Sequence, residues 1–312
     1  MKVLVTGGAG FIGSHVVDRL LEAGAEVVIV DDLSAGRHEQ VNPRARLYQM
    51  DIGDPALRAL FEQERIECLA HHAAQMNVRR SVADPMFDAR VNIVGSLNVL
   101  QAAVATGVKK VVFASTGGAI YGEQLTFPAD ETHPTTPLSP YGVAKLAVEK
   151  YLAYYEAVYG LPYVALRYAN VYGPRQDPHG EAGVVAIFAQ HLLRHESCLI
   201  NGDGEQTRDF VYVADVVRAN VLAVTTALHG IYNVGTGSET SVNTLYAHLS
   251  RYAGSSRSPQ YGPPKAGEQR RSVLACGKLH AAANWRPEVS LEEGLRRTVA
   301  YFAEQAADGK TS

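Results

Sequence analysis

Cysteine is scarce in this 312-residue chain: Cys68, Cys198 and Cys276 stand far apart and form no Cys-x-x-Cys pair. A disulfide framework is thereby excluded, and the thiols read as buried or incidental groups in a reducing compartment. Charge of one sign is lacking too. The net charge is −3, with no basic block interleaved with aromatics, so neither nucleic acid nor an anionic membrane surface is expected as a partner. No apolar run reaches membrane-spanning length. The chain enters a strand at once, without a basic and apolar leader. Internal repeats and low-complexity tracts are absent. These absences leave a cytoplasmic enzyme as the expectation. What is present is ordinary: 46% hydrophobic and 20% charged residues, enough for a full core in one large domain or two intimately joined ones.

The strongest local signal lies in the first 31 residues. An apolar, β-branched stretch from Lys2 to Thr6 runs into Gly7-Gly8-Ala9-Gly10-Phe11-Ile12-Gly13, then into a helical pattern ending at Gly24. A second strand follows over 26–30, closed by Asp31. Each glycine in the Gly-x-x-Gly-x-x-Gly turn has a physical task. One makes the tight turn, one lets the backbone approach a pyrophosphate, and one lets the helix pack close on the strand. The helix N-terminus offers free N–H groups and a positive dipole end to the phosphates. A carboxylate at Asp31 binds ribose hydroxyls and repels a 2′-phosphate, which favours NAD over NADP.

Further along, strands at 47–50, 66–71, 111–115 and 162–168 alternate with helices that start at Asp54-Pro55, Asp84-Pro85 and Ser139-Pro140. In each case an N-cap residue precedes proline at the first helical position. The helices are read over 84–105 and 141–159, stopped by Gly107 and Gly160. This alternation predicts an α/β fold with a doubly wound parallel sheet, and the continuous apolar runs at 27–30 and 111–114 fit strands buried on both faces. After Tyr168 the rhythm changes. A Pro/Gly-rich loop at 172–180, a helix at 184–194 and a loop at 201–208 predict a smaller, mixed α/β lobe over the carboxyl ends of the strands. Residues 1–168, with 209–236 returning, form the expected cofactor-binding part; 169–208 and 237–312 form the expected substrate-binding lobe, ending in a polar tail.

Tyr141 and Lys145 are one helical turn apart and share a face. Tyrosine, with a pKa near ~10, is a poor base at neutral pH; a neighbouring ammonium stabilises the phenolate and lowers that value. Ser115 and Thr116 end the strand before it, where a hydroxyl points into the ligand crevice, and Gly117-Gly118 permit close approach of backbone to ligand. His71 and His72 are adjacent on a strand and point to opposite faces, with no carboxylate or cysteine cluster beside them, so no metal is expected. His179, His191, His195 and His248 read as surface or packing residues.

In order along the chain come Gly7–Gly13, His72-Ala-Ala-Gln75, Ser115-Thr-Gly-Gly-Ala-Ile-Tyr-Gly122, Tyr141–Lys145, Arg167-Tyr-Ala-Asn-Val-Tyr-Gly173 and Arg208-Asp-Phe-Val-Tyr-Val213. Together they resemble the extended short-chain dehydrogenases/reductases, and most nearly the UDP-glucose 4-epimerases. The resemblance implies that Gly7, Gly10, Phe11, Ile12 and Gly13 lie along the NAD pyrophosphate. Asp31, with Asp32 and Leu33 beside it, would hold the ribose, and Asp51 and Ile52 the adenine. Ala73, Ala74 and Gln75 would pass under the cofactor, with Asn92 near it and Tyr168 lining the nicotinamide pocket. Tyr141 would be the base, assisted by Thr116 or, as the fallback, Ser115. Lys145 would bind the nicotinamide ribose and tune Tyr141. Asn170 and Arg208 would bind the UDP pyrophosphate. Val184, Lys265, Glu268 and Arg270 complete the implied substrate contacts, and Ser272 falls at the sugar-pocket gate, where a small residue resembles members that admit N-acetyl sugars. Gly183 stands where many epimerases have asparagine. The implied reaction oxidises the sugar C4, turns the 4-keto sugar over and reduces its other face. The helices at 84–105 and 141–159 would pair in a homodimer. A dehydratase is the alternative; it needs an acid pair after the strand-end threonine, where this chain has Gly117-Gly118. A third reading, a non-enzymatic NAD sensor, has no use for the Tyr141–Lys145 pair.

Overall fold

A computed structural model describes residues 1–178, 183–264 and 269–307. The chain opens β1 (Lys2–Thr6), α1 (Phe11–Glu22), β2 (Glu26–Asp31), β3 (Arg46–Gln49), α2 (Leu57–Glu64) and β4 (Cys68–His71). Next come α3 (Val78–Ala83), α4 (Pro85–Ala89), a π-helical turn at Arg90–Gly95, α5 (Ser96–Ala105), β5 (Lys110–Thr116), α6 (Gly117–Ile120), α7 (Pro140–Tyr159) and β6 (Tyr163–Tyr168). The later part comprises β7 (Asn170–Tyr172), α8 (Val184–Leu193), β8 (Leu199–Asn201), β9 (Thr207–Arg208), β10 (Phe210–Tyr212), α9 (Val213–Thr225) and β11 (Gly230–Val234). It closes with β12 (Thr240–Ser241), α10 (Val242–Tyr252), β13 (Gln260–Gly262), β14 (Arg271–Ser272), α11 (Gly277–Ala283) and α12 (Leu291–Ala307).

The main sheet has seven strands in the order β11-β6-β5-β4-β1-β2-β3, all parallel. The expected doubly wound α/β architecture is therefore present, and the strand order reverses direction between β1 and β4. A crevice opens at such a switch point, beyond the carboxyl ends of the strands. One face of the sheet is covered by α1 and α9, which bury Val16, Val17, Leu20, Val216 and Ala219. The other is covered by α2, α5 and α7, through Leu57, Phe61, Val99, Leu100, Val148 and Leu152. No described helix is long and apolar enough to cross a membrane.

Two local departures shape the crevice. The helix expected over 84–105 is not continuous. Asp84 caps it through the Phe87 N–H, Pro85 opens it, and it then widens into the π turn before α5. Asn92, inside that turn, faces the core and bonds to the chain beyond β4, and such side-chain insertions are what π bulges accommodate. The second departure follows β5, where Gly117-Gly118 begin a short helix, α6, rather than an open loop. Past β6, the strands other than β11 are only two or three residues long and form small sheets: β7 with β10, β8 with β13, and β9 between β12 and β14. Asp209 ties these pieces together. Its carboxylate accepts from the N–H groups of Thr236, Gly237 and Leu274 and from the Thr236 hydroxyl.

Candidate active site

The glycine turn forms a cradle that side chains would fill. Gly7 has φ +70°, and a Cβ there would stand 2.6 Å from the Ala73 backbone nitrogen. A Cβ on Gly13 would run into the Gly7 carbonyl. Gly10 caps α1, and Phe11 and Ile12 form its first turn, half-buried. Asp31 ends β2, 6% exposed. Its two carboxylate oxygens accept from the N–H groups of Ala9 and Leu33, each at 2.9 Å. Burial pushes its pKa up and those two N–H groups oppose the shift. Asp32 turns outward and accepts from Ser34. Asp51, exposed, caps the turn at Gly53. Ile52 is buried and its carbonyl accepts from Asn98. The bare cradle at a helix N-terminus, with a carboxylate at the end of the next strand, fits a dinucleotide.

A hydrogen-bond chain runs from β1 to the π turn. Ser96 Oγ donates to the Asn92 carbonyl at 2.6 Å, so the His71 Nε2–H must donate to Ser96 Oγ, 2.9 Å away. His71 Nδ1 then accepts from Thr6 Oγ1 at 2.6 Å, and Thr6 Oγ1 in turn accepts from the N–H groups of His72 and Ala73. Burial pushes the His71 pKa down to about 3, which keeps the ring neutral. Ala73, Ala74 and Gln75 follow this anchor. Asn92 locks them: its Oδ1 accepts from the Gln75 N–H at 2.9 Å and its Nδ2 donates to the Gln75 carbonyl at 2.8 Å.

Tyr141 sits in the first turn of α7, which is capped by Ser139 Oγ and begun by Pro140. The Tyr141 N–H donates to Ser81 Oγ of α3. Lys145, 4% exposed, points at the same spot. Its Nζ donates to the Ala114 carbonyl at 2.9 Å and lies 4.7 Å from the centre of the Phe113 ring and 5.9 Å from that of Tyr141. Burial lowers its pKa to about 8, opposed by the carboxylates of Asp88 and Glu149. Burial, and after it the Asp88 carboxylate, hold the Tyr141 hydroxyl above the usual tyrosine range. In the polypeptide itself, therefore, the Tyr141 hydroxyl is held up by burial and Asp88 rather than lowered.

The two candidate hydroxyls at the end of β5 have different fates. Ser115 is 3% exposed and donates to Glu149 Oε1 at 2.6 Å. It belongs to a buried network in which Arg167 forks onto Glu149 at 2.6 and 3.0 Å and donates to the Tyr121 hydroxyl, which donates to Asn233. Thr116 is half-buried and stands at the N-cap of α6 with no side-chain capping bond. The open side of Gly118 faces it: a Cβ there would lie 3.9 Å from Thr116 Oγ1 and 3.8 Å from Asn170 Oδ1. Thr116 and Asn170 are thus brought to one place, and Ser115 is not.

Tyr168, 5% exposed, exchanges hydrogen bonds with Asn220 through its hydroxyl, so only its ring is left to line a pocket. Arg208 and Ser272 are register partners on β9 and β14, and the Arg208 guanidinium donates to the Thr207 carbonyl. Val184 begins α8, half-buried. Arg270 forms a two-pronged pair with Asp203 at 2.8 and 3.0 Å, in solvent. Lys265, Glu268 and His179 lie outside the described residues. Sequence reasoning missed two buried acids near Lys145, Asp88 and Glu149, and gave Arg167 no role beyond its place in a motif. The only signal for the acids was helical spacing, since Asp88 precedes Asn92 by four residues and Glu149 follows Lys145 by four. Among the described residues, no three His, Cys, Asp or Glu side chains converge as a metal site.

A Rossmann-type sheet with a dinucleotide cradle and a Tyr–Lys pair defines a class of nucleotide-dependent oxidoreductase folds, and comparison gives the family. The chain matches the NAD dependent epimerase/dehydratase family over residues 3–235, and it belongs to that family. A UDP-glucose 4-epimerase of Mycolicibacterium smegmatis is 46% identical over 308 residues, covering 97% of this chain and 98% of its own. The crystal structure of UDP-glucose 4-epimerase with UDP-glucose from Thermotoga maritima is 51% identical, with a TM-score of 0.96, covering 98% of this chain and all of that one. The Thermus thermophilus UDP-glucose 4-epimerase in complex with NAD is 47% identical, with a TM-score of 0.92 and coverage of 97% and 99%.

Proposed function

We propose that this protein is an NAD-dependent UDP-hexose 4-epimerase of the UDP-glucose/UDP-galactose type. Two observations support the reading: Thr116 and Asn170 meet at the open side of Gly118, and Lys145 lies beside the Tyr141 ring, in a chain that parallels over nearly its full length an epimerase structure with UDP-glucose. When bound, NAD supplies the oxidant that takes hydride from the sugar C4 and returns it to the other face of the ring. The chain supplies the rest. Gly7, Gly10, Phe11, Ile12 and Gly13 admit the pyrophosphate, Asp31 the ribose, and Asp51 with Ile52 the adenine. The segment from Ala73 to Gln75, fixed by Asn92, forms the floor. Tyr141 accepts the 4-hydroxyl proton with Thr116 as relay and later gives it back. Lys145, as a cation, stabilises the phenolate and holds the nicotinamide ribose. Asn170, Val184, Arg208 and the late segment of Lys265, Glu268 and Arg270 hold the UDP portion, arginine through its fork geometry. Ser272, a small residue at the position the resemblance gives to the sugar gate, extends the reading to N-acetylated UDP-hexoses. Gly117-Gly118 offer no acid to expel a 6-hydroxyl, which tells against a dehydratase.

Val82, Met86, Val94, Val143, Tyr154 and Val158 are exposed apolar residues on α3, α4, the π turn and α7, and they support a homodimer through these helices. Sedimentation equilibrium checks it; a monomer at micromolar concentration removes that reading. Three free cysteines support a cytoplasmic setting. The function is tested by incubating purified protein with UDP-glucose, without added NAD, and following UDP-galactose. A 4-keto-6-deoxy product in place of UDP-galactose overturns it.

A further inference from the structure

A buried ammonium needs a counter-charge, and two buried carboxylates act on Lys145: Glu149, one turn further along α7, and Asp88 on α4, which packs against α7. Glu149, on the same helix, has its charge matched by the two-pronged bond from Arg167. Asp88 differs. It is 1% exposed, and its Oδ1 accepts only from neutral amides, Gln75 Nε2 and Asn92 Nδ2, each at 2.9 Å. Its Oδ2 is buried with no hydrogen-bond partner among the described residues. Helix α4 packs on α7, so that Asp88 lines one cavity with Pro140 and Ala144, the residues immediately before Tyr141 and Lys145. The remaining groups facing the lysine carry no charge to compete. His71, which ends β4, and His72 just after it are neutral, pushed down by burial to about 3 and about 4, Phe113 of β5 is an aromatic ring, and Tyr141 is the phenol itself.

We infer that Asp88 is a positioning residue for the reaction: the unmatched buried carboxylate that keeps Lys145 charged, while its two amide bonds hold the Gln75 segment under the cofactor site. The part concerning catalysis rests on the epimerase reading; the charge relation between Asp88 and Lys145 does not. Burial pushes the Asp88 carboxyl up, and the two amides and the Lys145 cation pull it back. Its negative charge raises both Lys145 and Tyr141. Removing that charge moves both toward lower pH, so the lysine deprotonates earlier and the phenol ionises earlier.

Asp88→Asn removes the charge and keeps an oxygen for the two amides. With lysine carbon-13 labelled at Cε, the nuclear magnetic resonance signal absent from Lys145→Arg protein belongs to Lys145. Its titration midpoint is expected to fall by about one pH unit in Asp88→Asn, a tenfold change in proton affinity; an unmoved midpoint overturns the inference. With UDP-glucose as substrate, the bell-shaped pH–rate profile of Asp88→Asn is expected to shift as a whole to lower pH. A purely structural role instead lowers the rate by one factor at every pH, and that result also overturns the inference. Where Asp88→Asn fails to fold, Asp88→Glu keeps the charge: a Lys145 midpoint close to wild type supports the inference, and a large fall overturns it. A wild-type protein whose Lys145 responds to Asp88 as expected but which does not convert UDP-glucose removes the epimerase reading alone.

Discussion

The proposed cofactor side and the proposed substrate side of the crevice are built in opposite ways. The cofactor side lies at the ends of long, adjacent parallel strands, β2, β1, β4 and β5. Each residue there takes its place because its strand stops there: Gly7 after β1, Asp31 at the end of β2, His72 after β4, Thr116 at the end of β5. The substrate side is assembled from β7, β9 and β14, strands of two or three residues held by partners far away in sequence, such as Asp209 with Thr236 and Leu274. Rigid long strands place a side chain by local pattern. Short ones place it only through the bonds between them.

Four experiments break or sharpen that contrast, beginning with the largest effect. Tyr141→Phe, on the strand-ordered side, is expected to lower turnover by ~10²–10⁴-fold or more while bound NAD, measured by absorbance after denaturation, stays unchanged; near-normal turnover would remove Tyr141 as the base. Next is Arg167→Met, at the joint between the two sides. It leaves Glu149 buried and unpaired, a loss of about 3–5 kcal/mol, read in urea unfolding. A loss below about 1 kcal/mol would mean that water reaches Glu149. The third change separates neighbours on β5. Thr116→Val is expected to reduce kcat by ~10–100-fold with stability nearly unchanged, whereas Ser115→Ala removes one buried hydrogen bond, ~1–2 kcal/mol, and leaves kcat within about twofold. The reverse pattern makes Ser115 the relay. The smallest effect belongs to Arg270→Ala, whose solvent-exposed pair with Asp203 contributes little. The melting temperature is expected to stay put, and the KM for UDP-glucose reads whether Arg270 reaches the substrate.

Legibility follows the same division. The parallel sheet, the helix start at Ser139-Pro140 and the glycine turn are readable because apolar runs, caps and prolines act within a few residues. The 84–105 segment reads as one helix by the same rules, because its apolar period continues through the π turn. What interrupts it is Asn92 bonding to Gln75, seventeen residues upstream, and no periodicity encodes that. In the same way, Ser115 and Thr116 are equivalent as strand-end hydroxyls until Glu149, thirty-four residues on, accepts a hydrogen bond from Ser115.

The sequence by itself determined the class of fold and the kind of cofactor turn, because alternation, glycine spacing and an acid at a strand end are local properties of the chain. It also marked Tyr141 and Lys145 as a pair, since four residues make one helical turn. Only the tertiary structure decided which charges surround that pair. Glu149 is neutralised because β6 carries Arg167 beneath it, and Asp88 is left unmatched because α4 packs on α7 with only amides to meet it. Desolvation and charge pairing depend on neighbours in space, so the electrostatic state of the site comes from packing rather than from spacing.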